Sequence, residues 1–154
     1  MSARALSSVI GVVLLVAVTV LTAAAVGVTV LDAAPADGSP TRAALELRAE
    51  ASTDRLTLRH RGGDTVPVSD LRLRVRIDGR QLAHQPRVPF FAATGFDSGP
   101  TGPFNTAADG RWQAGERASV QLANTNDPPL EPGSRVSVDV YLDGKKLAAL
   151  EATA

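Results

Sequence analysis

Two hydrophobic periods divide this chain. From Leu6 to Leu31 no residue is charged, and only Ser7, Ser8, Thr19, Thr22 and Thr29 interrupt the apolar run. A run of 18 or more apolar residues reads as a membrane-spanning helix. At 1.5 Å per residue it would extend roughly 39 Å. That exceeds a hydrocarbon core of about 30 Å, so the segment spans with tilt or projects beyond the bilayer. A bilayer leaves no water for backbone groups, so a lone spanning segment is helical even when rich in Val. From residue 43 the period becomes two. Leu45, Leu47 and Ala49 alternate with Glu46, Arg48 and Glu50, and Leu56 and Leu58 with Arg55, Thr57 and Arg59. Leu71, Leu73, Val75 and Ile77 alternate with Arg72, Arg74, Arg76 and Asp78. Strict alternation predicts strands with one buried and one wet face. The stretches Arg117–Ala123 and Val136–Leu142 read the same way, and Lys145–Thr153 closes the chain as a final strand.

Turn residues punctuate these runs. Asp32 to Thr41 carries two Pro and one Gly, which stops the helix and starts a linker over 32–42. Asp78-Gly79 and Asp143-Gly144 are two-residue hairpin signals, and Arg80 to Gln85 is expected to return beside the strand before it. Residues 86–110 hold Pro86, Pro89, Pro100 and Pro103 with Phe90, Phe91, Phe96 and Phe104. This is either a long connection whose Phe side chains cap the core or a surface loop that contacts other molecules. The expected fold is one N-terminal transmembrane α-helix plus an all-β head over 43–154. Strand spacing suggests an immunoglobulin-like β-sandwich of about seven strands.

Composition narrows the function. The chain has no Cys, so the head has no disulfide and no thiolate metal site. Formal net charge is zero, with 16 basic and 16 acidic residues, which suggests neither a nucleic-acid partner nor a strongly acidic one. The charge is unevenly placed: residues 42–87 carry ten Arg against six acids, and residues 88–154 carry five basic against eight acidic residues. That is either the solvated face of each strand or complementarity between neighbouring subunits. Catalytic signals are sparse. His60 and His84 form no H-x-x-x-H pair, and no G-x-S-x-G elbow, P-loop or dinucleotide glycine pattern occurs. Asp97, Asn105 and Asp109 offer oxygen ligands for calcium but fit no EF-hand spacing, so turn formation accounts for them better. No catalytic residue, metal or cofactor is expected.

The start of the apolar run is distinctive. Arg4-Ala5-Leu6-Ser7-Ser8-Val9-Ile10-Gly11-Val12-Val13-Leu14-Leu15-Val16-Ala17-Val18-Thr19-Val20 resembles the N-terminus of archaeal type IV pilins. The resemblance implies a class III signal, residues 1–5, cut by a prepilin peptidase between Ala5 and Leu6 just after Arg4. The mature helix, 6–31, would anchor in the membrane and later pack into a filament core. The departures are Ser8, where the family usually has Pro, and a single basic residue where two are common. His60-Arg61-Gly62-Gly63-Asp64 and Ser69-Asp70-Leu71-Arg72 are more loosely similar to phrases of archaeal pilin heads. Thr19, Ala23 and Gly27 recur every fourth residue and share a face; with Gly11 they are the candidate helix-packing positions.

Arg4 and the amino terminus on one side, and Asp32 and Asp37 on the other, place the N-terminus in the cytoplasm and the head outside. The expected function is a structural subunit, major or minor, of an archaeal type IV pilus-like filament at the cell surface. Its implied partners are the membrane, a prepilin peptidase, sister pilins and a pilus assembly platform with its ATPase, and not nucleic acid. The alternative is a single-pass, membrane-tethered β-sandwich binding module that never assembles. An ordinary secretory signal peptide, cut near Ala23-Ala24-Ala25, is the rival reading of the N-terminus. An exported hydrolase would need a catalytic cluster at His60 or His84.

Overall fold

Ala3, Arg4 and Ala5 are strong helix formers, and no breaker follows until Pro35. The helix α1 accordingly runs from Ala3 to Asp32, beginning three residues earlier than the apolar run itself. The computed structural model describes residues 3–32 and 40–154, with helix side chains from 9 to 23. Most of the expected leader is therefore helical, while Met1, Ser2 and the linker residues 33–39 lie outside the described residues. Two compact units result, Met1–Pro40 and Thr41–Ala154.

The second unit is built of nine strands: β1 (Ala43–Glu50), β2 (Arg55–Gly63), β3 (Val66–Pro67), β4 (Leu71–Ile77), β5 (Arg80–Gln81), β6 (Arg111–Trp112), β7 (Arg117–Gln121), β8 (Arg135–Leu142) and β9 (Lys145–Thr153). They form three antiparallel sheets, ordered β1-β2-β7, β3-β6 and β5-β4-β8-β9. Register follows the alternation. Leu47 faces Leu58, Leu58 faces Ala118, Val75 faces Val138 and Val138 faces Leu150. The inward residues of the sheets join one apolar cluster with Phe90, Phe96, Phe104 and Trp112. Burying a Leu, Val or Phe contributes about 1.5–3 kcal/mol each, and this cluster holds the head without a covalent staple.

The two Asp-Gly turns form as expected. Asp78 and Gly79 have φ of 50° and 81°, and Asp143 and Gly144 have 50° and 75°. Both central residues are left-handed, which matches the twist of the flanking strands and explains the pairing of Asp with Gly.

The return after the first hairpin is shorter than expected. β5 pairs only Arg80 and Gln81 with β4, whereas the sequence suggested a strand through Gln85. The Gln85 side chain takes the place of the missing strand. Its Oε1 accepts from the Val75 N–H at 2.7 Å, and its Nε2 donates to the Val75 carbonyl at 2.9 Å. One amide thus satisfies both polar groups of a β4 residue, and the chain is free to turn away. The strand expected to reach Ala123 stops at Gln121, because Leu122 bridges to Phe96 in the loop.

Residues 86–110 are a folded connection. Phe90, Phe96 and Phe104 are buried, while Phe91 is 63% exposed. Phe104 lies 5.3 Å from Trp112 between ring centroids, and Phe90 lies 5.8 Å from Phe96. Gly102 is required where the loop crosses β7: its φ is 59°, and a Cβ there would run into the Arg117 carbonyl.

Candidate functional site

The feature that singles out the first unit is a helix apolar on every side. Val9, Ile10, Val12, Val13, Leu14, Leu15, Val16, Val18, Val20 and Leu21 are each 53–70% exposed. A water-facing helix normally keeps one polar face, and one apolar all round needs a non-aqueous surrounding or partner helices. Its described polar side chains have been neutralised internally. Thr19 Oγ1 donates to the Leu15 carbonyl at 2.7 Å, and Thr22 Oγ1 lies 2.9 Å from the Val18 and Thr19 carbonyls. Hydroxyls that bond back one turn present a methyl group outward and leave no unmet donor.

The candidate packing residues do not form a single strip. At about 100° per residue, Thr19 and Ala23 lie about 40° apart, but Gly11 is about 80° from Thr19 and about 160° from Gly27. Gly11 has nothing within 4 Å of a Cβ position, and Thr19 and Ala23 are exposed. Gly27 lies in the helical backbone. The small residues therefore offer at least two places of close approach on different sides. Arg4, Ala5 and Leu6 also lie on the helical backbone, so the expected processing junction falls within the first two turns. Among the described residues, no helix is long and apolar enough to cross a membrane. A membrane role for Leu6–Leu31 rests on the length of the uncharged run in the sequence.

The head's chemistry resolves into structure. His60 is fully buried, its ring edge-on to Trp112 at 5.6 Å and its Nε2 2.9 Å from the Asp64 carbonyl. It is a core residue that ties the end of β2 to its turn. His84 is exposed, and its backbone N–H donates to Asn126 Oδ1 at 3.0 Å. Asn105 Oδ1 accepts from the Ala107 N–H at 2.9 Å, and Asp109 Oδ1 from the Arg111 N–H at 3.0 Å. Both are turn caps, the role that favours Asn and Asp in loops. Among the described residues, no group of three or more His, Asp or Glu is placed to hold a metal ion.

Asn126 escaped the sequence reading. It is 7% exposed, and its amide donates to the His84 and Gly95 carbonyls at 3.0 Å each. It pins the 86–110 connection to the end of β7. Only its place in a turn-rich stretch hinted at this.

The comparisons place the N-terminal segment. Residues 4–45 match the family model described as archaeal type IV pilin, N-terminal. A curated protein of Archaeoglobus fulgidus, described as an uncharacterized protein, is 37% identical over 84 residues, covering 53% of this chain and 57% of its own length. The chain thus spans little more than half the length of that relative. Through residues 4–45 the chain carries an archaeal type IV pilin N-terminal domain.

Proposed function

We propose that this chain is a structural subunit of an archaeal type IV pilus-like surface filament. One observation carries the reading: an N-terminal helix apolar on every side, with its described hydroxyls turned onto its own backbone, in a segment that matches the pilin N-terminal domain. Such a helix suits two apolar surroundings in succession, a lipid anchor before assembly and a shaft of sister helices after it. Proteins of this family are typically structural and non-enzymatic. The head faces outward from the membrane and sheathes the filament. The proposed partners are the prepilin peptidase cutting between Ala5 and Leu6, sister subunits and the assembly platform. The proposed packing positions are Gly11, Thr19, Ala23 and Gly27.

In an immunoglobulin-like sandwich, strands A, B, E and D share one sheet, and C, F and G the other, with C′ as an added edge strand beside C in the variable type; here the place of D is vacant and six main strands remain. With the two-residue β3 and β6 set aside, β1-β2-β7 follows A-B-E and β5-β4-β8-β9 follows C′-C-F-G. This supports an immunoglobulin-like head.

The test is the N-terminal mass of the mature protein, taken from membranes and from the sheared surface fraction. A terminus at Leu6 in both fractions is the expected result. An intact Met1 with protein only in the membrane pellet favours the tethered binding module. A terminus near Val26 means that a secretory signal was removed, and the filament reading fails.

A further inference from the structure

The two Asp-Gly turns of the β5-β4-β8-β9 sheet have matching backbones and different carboxylates. Asp78-Gly79 follows β4, Asp143-Gly144 follows β8, and both residues of each pair have positive φ. The antiparallel β4–β8 register sets the turns at opposite ends of the same two strands, Asp78 beside Arg135 and Asp143 beside Asp70. Asp78 is clamped twice. Its N–H donates to the Arg135 carbonyl at 2.8 Å, and its Oδ1 accepts from the Arg135 N–H at 2.8 Å. Asp143 is attached through its N–H alone, to the Asp70 carbonyl at 3.3 Å. It is exposed, and among the described residues its carboxylate meets neither a hydrogen-bond donor nor a cation. At a third pair, Asp109-Gly110, the carboxylate accepts from the Arg111 N–H at 3.0 Å. A fourth, Asp37-Gly38, lies outside the described residues.

An Asp-Gly pair can rearrange using its own atoms. The Gly nitrogen attacks the Asp side-chain Cγ, an N–Cγ bond forms, and the carboxyl OH leaves as water with the amide proton. Water then opens the cyclic imide. Attack at Cγ restores Asp, whereas attack at the main-chain carbonyl carbon leaves the chain running through Cβ and Cγ, an isoaspartyl link of unchanged mass. The turn type supplies the geometry. Type I′ and type II′ hairpins both have positive φ at the first central residue and differ by a flip of the peptide between the two. In the type II′ form the first residue has ψ of about −120°, which swings the Gly nitrogen to the side of Cβ and its carboxyl group. Among the described residues, neither the Gly79 nor the Gly144 N–H donates to the main chain, so neither opposes the flip. The carboxyl groups make the difference. At Asp78 and Asp109 a main-chain N–H occupies an oxygen of the reacting group. The bond from the Arg135 N–H also keeps the Asp78 carboxyl below the usual carboxylate range, which depletes the protonated form that loses water.

We propose that Asp143 is the site at which this head isomerises with age, and that the isoaspartyl link formed there loosens β9. The link adds one carbon to a two-residue turn, about 1.5 Å of chain. The pairs nearest the turn are Leu142 with Lys145 and Tyr141 with Lys146, and the second holds Lys146 where its Nζ reaches Asp139. β9 is hydrogen-bonded to β8 alone, so no second neighbour restores its register. The carboxylate released from the main chain stands in an exposed turn, open to an isoaspartyl-directed methyltransferase or peptidase. The rearrangement needs no partner and proceeds whether or not a filament forms.

The full-length protein, purified in detergent, is held at mildly acidic pH and sampled over weeks. Each sample is digested with a protease that cuts before Asp and not before isoaspartate, and the uncut positions are located by electron-transfer fragmentation. Isoaspartate at 143 should exceed that at 78 and at 109 about tenfold, the order set by one hydrogen bond to a charged group. Asp143→Asn, which loses ammonia in place of water, should speed the product at 143. Asp143→Glu, which closes a larger ring far more slowly, should abolish it. Arg135→Pro removes the N–H that holds Asp78, at the first residue of a strand where Pro is tolerated. It should raise isoaspartate at 78 to the level at 143. In the native chain the urea midpoint read from Trp112 emission should fall in step with isoaspartate at 143, and Asp143→Glu aged alongside should keep its midpoint. Equal isoaspartate at 78, 109 and 143, or isoaspartate at 37 with none at 143, overturns the site. A midpoint that holds while 143 converts overturns the loosening of β9.

Discussion

Asp139 sits between two cations on the wet face of β8, with Lys146 Nζ at 2.8 Å and Arg76 at 2.9 Å. The hydrogen bond from Lys146, and then that from Arg76, holds its carboxyl below the usual carboxylate range. A lowered folded value contributes stability that is fully present above the unfolded Asp value of about 3.9 and is lost as pH falls through the folded one. Asp139→Asn is therefore expected to be less stable at pH 7, by under about 1 kcal/mol because both cations are partly exposed. The gap should close as the pH falls below about 4, and urea midpoints for both proteins across that range check it. A buried residue is worth more. Phe104 is fully buried against Trp112, and Phe104→Ala should cost about 3–5 kcal/mol. Trp112 is the chain's single Trp, so its emission during urea unfolding reads the loss directly.

Among the elements, what the sequence made legible depended on how many residues carried the signal. β4 begins where alternation placed it and ends at the Asp-Gly turn, because seven alternating positions define both a face and a register. β3 and β6 were invisible, since two residues have no period, yet Val66 opposite Trp112 closes one end of the core. β5 was overread because hydrophobicity says nothing of a Gln85 side chain that replaces a strand's hydrogen bonds. The arginine pair of β2 and β7 was equally hidden, because Arg59 and Arg117 meet only through a register that joins distant parts of the chain. The helix was legible from composition, and the step of about 100° per residue sets its small residues on more than one side. That helix invites two substitutions with opposite expectations. Val16→Arg places a charge mid-helix at about 2.5–3.5 kcal/mol and should shift the chain out of the membrane pellet. Thr19→Val removes a hydroxyl already bonded to its own helix and should leave the pellet fraction unchanged. Fractionation followed by immunoblotting distinguishes them.

At the scale of the whole molecule, Thr41–Ala154 has its own core and sheets. Residues 41–154 alone should therefore fold and unfold in a single cooperative transition, with one midpoint by Trp112 emission and by far-UV circular dichroism. Divergent midpoints would mean that the helix supports the head. The way the chain enters this unit also determines how the unit meets mechanical load. β1 starts at the entry point and is paired along its length with β2 alone. Tension applied at Thr41 and resisted at the far end acts along the strand axis. The β1–β2 hydrogen bonds then bear it together in shear, instead of yielding one after another as in a hairpin peeled from its open end. Under such a pull the head would give way abruptly, once many bonds broke together, and not by gradual fraying.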